Sequence, residues 1–448
     1  MYGDRTPYYQ HPMTYQQGYT KLTPLGQMQE LQLGSYLRSE YLNPTSANVI
    51  AGLQADVVDD RQLLVRADNG GEGGAIVDSS VALLQGLFPP TPRSRTGLAN
   101  GTTVVGPMGG YQYIPIESVE PIQSIQLEGW TSCPNFEKHV KDFYNSPGFK
   151  KKAEEAAPFL NAVKPYIFGI DNTLENMIYD YLHTNYIHNE TYAFRLPPTF
   201  LQQAQYWVDY HEHGVFTDVA NRGIGNVAGR TVLPSIISAL ERINNADDPL
   251  RLVIQEVSYK PLISLFNITN VTARYPELDG LPTYASALAL ELRDNEEGET
   301  FIRAKFKNGT SDFEEIHLFS HRDDIALNEL LYRLDLTSIG STAHWCRVCG
   351  QRSARGCNIC NREEYDPSIA TLVSTSNESC IQRIAGALSS PSAQLISAVL
   401  FACLAFLGLY KLYAARSGTM RLRGGYDPLP TSAQYVDEPA MTKGRGRF

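Results

Sequence analysis

Hydrophobic and polar positions along the chain predict a mixed α/β fold. Residues 22–39 carry apolar side chains at the spacing of an amphipathic helix. The apolar face of this helix is predicted to hold Leu25, Met28, Leu31, Leu33 and Leu37. Further helices are predicted at residues 138–163, 172–186 and 235–245. Short apolar runs predict strands at residues 63–67, 82–88, 250–257, 283–292 and 299–307.

A different hydrophobic pattern near the end of the sequence predicts a transmembrane helix at residues 395–415. No charged residue occurs from Leu395 to Tyr410, and Lys411 is close enough to the helix end to reach the headgroups. A helix of this length rises about 30 Å, which matches the hydrocarbon thickness of a bilayer. A buried helix of a soluble domain is the alternative, but the polar residues after it offer nothing to bury it.

Charge around this segment predicts its orientation. The residues after it contain six basic side chains: Arg416, Arg421, Arg423, Lys443, Arg445 and Arg447. The positive-inside rule therefore predicts a single-pass type I protein with a cytosolic C-terminus. Residues 416–448 lack apolar periodicity and are predicted to be a disordered tail. The lipid bilayer is thus the expected partner of residues 395–415.

Glycosylation sequons agree with an extracellular or lumenal location for the residues before the span. Six Asn-x-Ser/Thr sequons occur there and none occurs after it. Their asparagines are Asn100, Asn189, Asn267, Asn270, Asn308 and Asn377.

The overall charge of −10 argues against a nucleic-acid surface, which would usually show a basic patch.

The cysteines before the span allow two interpretations. They are Cys133, Cys346, Cys349, Cys357, Cys360 and Cys380. An even number suits disulfides in an oxidising compartment. The two Cys-x-x-Cys pairs at 346–349 and 357–360 also have the spacing of a four-thiolate zinc site. Disulfides are favoured because of the predicted location, and no cofactor is expected.

The first residues raise a separate question. A type I protein is expected to begin with a signal peptide, yet residues 1–10 have neither a basic nor an apolar region of that kind. We expect that a signal and a first strand precede Met1 in the full protein. Insertion by another mechanism is the alternative.

Several motifs occur in an order that resembles a known enzyme family. Gly3, Arg5 and Pro7 fit an opening motif Arg-His-Gly-x-Arg-x-Pro, and residues 22–41 fit the helical sequence that follows it. Later segments match as well: Leu-Phe-Pro-Pro at 87–90, Cys-Pro-x-Phe at 133–136 and Tyr-Ala-Ser at 284–286. Over roughly residues 1–310 the chain resembles the histidine acid phosphatases, branch two of the histidine phosphatase superfamily.

This resemblance implies a phosphoglycerate mutase-like α/β sandwich with a helical cap over the substrate pocket. Cys133 is then expected to bond to a cysteine of the 346–360 cluster or to Cys380. The implied layout has two core segments, at residues 1–118 and 232–345, and a cap at 119–231. A cysteine-rich juxtamembrane segment at 346–394, the span at 395–415 and the tail at 416–448 complete it.

The resemblance also implies a mechanism. In active members the motif histidine is the nucleophile, and two motif arginines and a later arginine hold the phosphoryl oxygens. Guanidinium forks suit this role because they bind phosphate oxygens in pairs and stabilise their charge. A later His-Asp pair binds phosphate and protonates the leaving alcohol.

This sequence departs from that pattern at most catalytic positions. Tyr2 stands at the nucleophile position, Ala75 at the third arginine and Glu256 near the His-Asp pair. A phenol, with a pKa of about 10, is a poor nucleophile near neutral pH. Arg5 clearly survives, with Gly3 to admit a close ligand and Thr6 as a hydroxyl donor.

We therefore predict a membrane-anchored pseudoenzyme that serves as a binding or structural ectodomain. An anionic or phosphorylated ligand is expected to bind weakly at Arg5. The alternative is an active acid phosphatase or phytase-like phosphomonoesterase, in which Glu256 acts as a general acid after burial has raised its pKa.

His211-Glu212-His213 lacks the spacing of metalloprotease ligands and is predicted to be a solvated patch.

Overall fold

The computed structural model describes residues 1–360, except residues 9, 16–19, 70–73, 120–123, 169–170 and 177. No helix within these described residues is long and apolar enough to cross a membrane. The predicted span at 395–415, the tail, Asn377 and Cys380 lie outside the described residues.

The first part of the chain alternates helices and strands. Its elements are α1 (Pro24–Tyr41), β1 (Leu63–Asp68), α2 (Gly74–Leu87), β2 (Arg95–Gly97), β3 (Thr103–Val105), α3 (Pro107–Gly110) and β4 (Ile116–Val119). The strand predicted at 82–88 is wrong, because these residues belong to α2 and its C-terminal end. A short apolar run fits a buried helix as well as a strand, and here the helix buries nine of its residues.

A helical part follows. It contains α4 (Pro134–Asn145), α5 (Pro147–Val163), α6 (Ile178–His188), α7 (Glu190–Arg195) and α8 (Phe200–Phe216). The single helix predicted at 138–163 is two helices, because Pro147 begins a new helix that Ser146 caps. In the core of this part, the ring centroid of Phe216 lies 5.9 Å from that of Trp130 and 5.4 Å from that of Phe136.

The remaining elements return to mixed character. They are α9 (Val227–Asn244), β5 (Leu252–Glu256), α10 (Tyr259–Ile268), β6 (Ala287–Asp294), β7 (Thr300–Lys307), β8 (Glu314–Ile316), β9 (Ile325–Ala326), α11 (Leu327–Thr337), α12 (Thr342–Cys349) and α13 (Cys357–Cys360). The predicted mixed α/β fold is therefore confirmed.

The strands form two principal sheets. One is parallel with the order β4-β1-β5, and Val65 of β1 pairs with Ile116 and Ile254. The other is antiparallel with the order β6-β7-β8, and β9 pairs with β7. The carboxyl ends of β1, β4 and β5 consequently lie at one edge of the parallel sheet, where ligand sites of α/β proteins usually form.

Helices α1 and α2 pack closely through glycine. A Cβ at Gly34 would lie 1.9 Å from the carbonyl oxygen of Leu83, and a Cβ at Gly86 would lie 2.1 Å from that of Leu31. The predicted apolar face of α1 is correct at Leu33, but Leu25 and Met28 are exposed by 43% and 51%. The side of α1 that is buried is therefore the side on which its backbone contacts α2 at Gly34, and not the whole predicted leucine face.

Two disulfides involve the last described helices, and one of them connects these helices to the rest of the fold. Cys133 bonds to Cys349, and Cys346 bonds to Cys357. The expected bond from Cys133 to the cysteine cluster is thus confirmed. The zinc alternative is wrong for this arrangement, because three of its four thiolates are used in disulfides. The side chain of Cys360 lies outside the described part of the structure.

Candidate functional site

The N-terminal residues lie at the carboxyl edge of the parallel sheet. The amide of Gly3 donates to the hydroxyl of Ser79 in α2 (3.2 Å), and the carbonyl of Tyr2 accepts from the amide of Ala285 (3.1 Å). The terminal nitrogen of Met1 lies 3.2 Å from Oε1 of Glu256, at the end of β5. The fold therefore brings together the opening motif, α2 and the end of β5.

The nucleophile position holds a buried aromatic ring. Tyr2 is only 1% exposed, and its ring centroid lies 6.1 Å from that of Tyr284. Burial raises the pKa of Tyr284 above its ordinary value, with Arg5 lowering it in part. Two tyrosine rings therefore lie in this part of the site, one of them at the position of the family's motif histidine.

Arg5 is held by the protein itself. It is 4% exposed, its Nη2 lies 2.8 Å from Oδ1 of Asp180, and its Nη1 donates to the carbonyl of Thr6 (3.2 Å). The guanidinium carbon also lies 4.5 Å from the ring centroid of Tyr8. Asp180 accepts a second hydrogen bond from the amide of Tyr8 (2.9 Å). The carboxylate of Asp180 thus binds both the guanidinium of Arg5 and the backbone that follows it.

Gly3 and Thr6 have structural roles in this arrangement. A Cβ at Gly3 would lie 2.5 Å from the carbonyl oxygen of Gly26, so the glycine allows α1 to approach the opening motif. The hydroxyl of Thr6 accepts a hydrogen bond from the amide of Lys21 (3.0 Å). Both residues therefore position the segment around Arg5.

The third-arginine position is also altered. Ala75 is fully buried in the first turn of α2 and offers no charged group. Arg66, the nearest preceding arginine, forms an ion pair with Glu117 on the neighbouring strand β4 (Nε to Oε2, 2.8 Å). Two arginines near the site are consequently paired with carboxylates.

Several charged residues of the site were not predicted from the sequence. Asp180, His183 and His188 all project from α6, and Nε2 of His188 lies 2.8 Å from Oδ2 of the fully buried Asp4. Burial lowers the pKa of His183, although Asp180 opposes this shift. The three-residue spacing of Asp180 and His183 on a predicted helix was the available signal that they share a face.

Lys260 adds a buried cation next to the carboxyl end of β5. It is fully buried in the first turn of α10, and its ammonium lies 4.7 Å from the ring centroid of Tyr259 and 5.4 Å from that of Trp130. Glu256, the residue at the His-Asp position, is 2% exposed. Nothing in the local sequence distinguishes Lys260 from an exposed lysine, because the aromatic rings around it come from distant segments.

The predicted solvated patch at His211-Glu212-His213 is wrong for its first two residues. His211 is 2% exposed and Glu212 is fully buried, whereas His213 is half-buried. Glu212 accepts hydrogen bonds from the hydroxyls of Tyr15 (3.0 Å) and Tyr259 (2.8 Å). Burial, followed by the charge of Glu212, raises the pKa of Tyr15. The hydrogen bond between Glu212 and Tyr259 connects α8 to α10. This contact joins residues far apart in the chain, so the local sequence does not reveal it.

The sequons differ in how accessible their amides are. Asn100, Asn189, Asn270 and Asn308 are exposed. Asn267 is half-buried, and its Nδ2 donates to the carbonyl of Asp218 (2.9 Å) and to Oδ1 of Asn226 (3.0 Å). A glycan on Asn267 would break these bonds, so the structure disfavours that site.

In the described ranges, no group of histidine, cysteine and carboxylate residues is arranged to hold a metal ion.

Comparisons with known proteins give relatives of one kind. No family model matches the chain. Prostatic acid phosphatase of Mus musculus is 25% identical over 328 residues, which cover 69% of this chain and 77% of the relative. Lysosomal acid phosphatase of Homo sapiens is 28% identical over 207 residues, which cover 44% of this chain and 43% of the relative.

Among solved structures, the phytase of Klebsiella sp. ASR1 superposes with a TM-score of 0.48 at 11% identity, covering 71% of this chain and 85% of the phytase. The apo form of Hafnia alvei phytase gives a TM-score of 0.48 at 10% identity, covering 74% of this chain and 88% of the phytase. The sequence relationships, together with the motif order, show that this chain is a homologue of the acid phosphatases of the histidine acid phosphatase family.

Proposed function

We propose that this protein is a non-catalytic relative of the histidine acid phosphatases that functions as a binding or structural ectodomain. The observation that carries the proposal is the buried ion pair between Arg5 and Asp180 beside the buried ring of Tyr2. The remaining phosphate ligand is neutralised, and the nucleophile position holds a phenol. Phosphoryl transfer depends on several positive groups acting together, and this site does not present them to a substrate.

The energetic comparison supports the same conclusion. A hydrogen bond to a charged group contributes about 1.5–3 kcal/mol, whereas enzymes lower their barriers by about 8–23 kcal/mol. An anionic or phosphorylated ligand at Arg5 would also have to displace Asp180, which is 2.8 Å away. We therefore propose that any such ligand binds weakly and is not hydrolysed.

The proposal includes the location of the protein. Two disulfides among the described cysteines are typical of an oxidising compartment. Residues 395–415 would anchor the ectodomain, with the basic residues after them in the cytosol. The phosphoglycerate mutase-like arrangement of core and cap, inferred from the family resemblance, is part of the same proposal.

The test is an assay of the purified protein with a chromogenic phosphate monoester from about pH 2.5 to 7. We expect no turnover above background, because nucleophile, third arginine and His-Asp pair are all replaced. Tyr2→His is expected to remain inactive for the same reason. Robust hydrolysis by the unmodified protein, abolished in Arg5→Ala, would contradict the proposal and support a phosphomonoesterase with Glu256 as its acid.

Anchoring has its own test. A protease added to intact cells should leave a tag after Phe448 untouched while it degrades the ectodomain. Loss of the tag together with the ectodomain would contradict the proposed topology. Treatment with carbonate at high pH should leave the full chain in the membrane pellet, and its release would contradict the span.

A further inference from the structure

Basic side chains from three separate segments come together beside helices α11 and α12. Arg222 precedes α9, and Arg230 lies in the first turn of that helix. His344 and Arg347 lie three residues apart on α12, so they share one face of it. We call these four residues the α11–α12 basic cluster.

Hydrogen bonds to the backbone hold two arginines of the cluster in place. Nε of Arg222 donates to the carbonyl of Leu336 (2.6 Å), and Nε of Arg230 donates to that of Thr337 (3.0 Å). Nη1 of Arg230 also donates to the carbonyl of Arg222 (2.6 Å), and the amide of Ile339 donates to the carbonyl of Arg230 (3.0 Å). Both guanidinium groups are therefore fixed at the end of α11 before a ligand binds.

The charges of the cluster act on one another. Burial lowers the pKa of His344, and the charges of Arg230, Arg347 and Arg222 lower it further. Burial and the charge of Arg222 likewise lower the pKa of Arg230 to about 10, while Asp218 opposes that shift. Each cation is thus disfavoured by its neighbours, and a bound anion would relieve that cost.

The arginines of the cluster keep their charges available. Among the described residues, no carboxylate forms an ion pair with Arg222, Arg230 or Arg347, in contrast to Arg5 and Arg66. Arg222 and Arg347 are exposed, whereas Arg230 is only 4% exposed. The cluster is thus an accessible cationic patch with one recessed guanidinium.

A purely structural role would explain only half of the cluster. Arg222 and Arg230 donate to carbonyls at the C-terminal end of α11, where positive charge stabilises a helix. That role does not require His344 and Arg347, whose charges make the placement of the other two less favourable. An anionic ligand accounts for all four residues.

We propose that the α11–α12 basic cluster is a second anion site, which binds the sulfate ester groups of an acidic polysaccharide. Guanidinium groups suit such oxyanions because each can donate two parallel hydrogen bonds. The recessed Arg230 is within reach of an ester group that projects from a chain, but not of a flat surface. The chain's net charge of −10 also opposes approach to a continuous anionic membrane. Only the source of the ligand rests on the proposed extracellular or lumenal location.

The first test measures binding of a heparin octasaccharide to the full chain by isothermal titration calorimetry. The double variant Arg222→Gln with Arg347→Gln should lose about tenfold or more in affinity. Arg95→Gln with Arg195→Gln removes the same charge from two exposed positions in other elements and is the matched control. It should change the affinity by less than about twofold. Equal losses in the two double variants, or no binding by the unmodified protein, would overturn the proposal.

The chemistry of the ligand is tested by competition. A desulfated octasaccharide, which keeps its carboxylates, should bind about tenfold more weakly than the sulfated one. Vesicles of phosphatidylcholine and phosphatidylserine should not displace the sulfated octasaccharide from full chain held in phosphatidylcholine nanodiscs. Equal binding of the desulfated form would rule out sulfate recognition, and displacement by the vesicles would identify the membrane as the partner instead.

His344 provides a readout that is specific to the cluster. A sulfate group among the arginines offsets their charge, so the bound octasaccharide should raise the pKa of His344. Nuclear magnetic resonance of histidine-labelled protein measures this change, and His344→Gln assigns the signal. If the octasaccharide binds while the titration of His344 stays the same, the ligand lies elsewhere and the assigned site is wrong.

Discussion

Oδ1 of Asp180 lies 2.8 Å from Nη2 of Arg5, and the two side chains are 11% and 5% exposed. Helix α6 therefore supplies a counter-ion to the arginine that resembles a phosphate ligand of the family motif. The attraction between buried charges is strong, and removal of one partner leaves the other uncompensated. The ion pair therefore predicts that Asp180 affects both the stability of the fold and the affinity of Arg5 for anions.

Asp180→Asn should reveal the residual anion affinity of Arg5. The amide oxygen of Asn can still accept from the amide of Tyr8, but the negative charge is gone. We expect affinity for inorganic phosphate to rise about tenfold, which corresponds to about 1.4 kcal/mol, at a cost in stability of about 3–5 kcal/mol. Isothermal titration calorimetry and thermal unfolding measure the two effects.

Asp142→Asn is the matched control for this variant, because Asp142 is 62% exposed and pairs with Lys138 on the surface. It should alter neither phosphate affinity nor stability appreciably. If Asp180→Asn binds phosphate no better than the unmodified protein, Asp180 is not what keeps anions from Arg5.

The two disulfides should differ in their contribution to stability. Cys133–Cys349 closes a loop of 216 residues and Cys346–Cys357 a loop of 11. Loop entropy in the unfolded chain gives about 5 kcal/mol for the first and about 3 kcal/mol for the second. The pair of changes Cys133→Ala and Cys349→Ala should thus lower Tm more than Cys346→Ala with Cys357→Ala. Equal losses in denaturant unfolding would contradict the entropic explanation.

Glu30 should make stability depend on pH. It is fully buried in α1, and burial followed by the nearby charge of Glu256 raises its pKa well above the ordinary value of 4.5. The folded state then holds a proton that the unfolded state has released. This contribution to stability is present below about pH 4.5 and is lost as pH rises through the folded-state pKa.

Glu30→Gln should therefore remain stable as pH rises, while the unmodified protein loses stability over the same range. The free energy of unfolding from urea titrations at pH 4 and pH 7 measures this difference. Glu154→Gln, at an exposed position in α5, is the control. If the two variants show the same change between pH 4 and pH 7, Glu30 does not carry the dependence.

Glycan occupancy should follow the accessibility of each sequon. Asn308 is exposed, whereas Nδ2 of Asn267 already donates two hydrogen bonds. Asn308→Gln should therefore increase the electrophoretic mobility of the protein by the equivalent of one glycan, and Asn267→Gln should not. Peptide N-glycosidase treatment should remove the remaining difference. A loss of one glycan in Asn267→Gln would show that the half-buried position is modified before folding.

The sequence by itself determined the mixed α/β class and most strands of the core, because local hydrophobic periodicity is present in the chain whatever surrounds it. Short motifs gave the resemblance to the histidine acid phosphatases, and this resemblance implied a bond from Cys133 to a later cysteine without deciding which one. The presence of Tyr2 where the family motif has a histidine is likewise visible without a structure, since it concerns only the identity of one residue.

Only the tertiary structure decided how the remaining charges are used. Asp180 reaches Arg5 from a helix far away in the sequence, and Lys260 is enclosed by rings from separate segments. Residues 82–88 form a helix because α1 offers a surface for close backbone packing at Gly34 and Gly86. His211 and Glu212 are buried for a similar reason, because their partners Tyr144, Tyr15 and Tyr259 come from other elements. Such contacts depend on long-range packing, and local sequence carries no record of them.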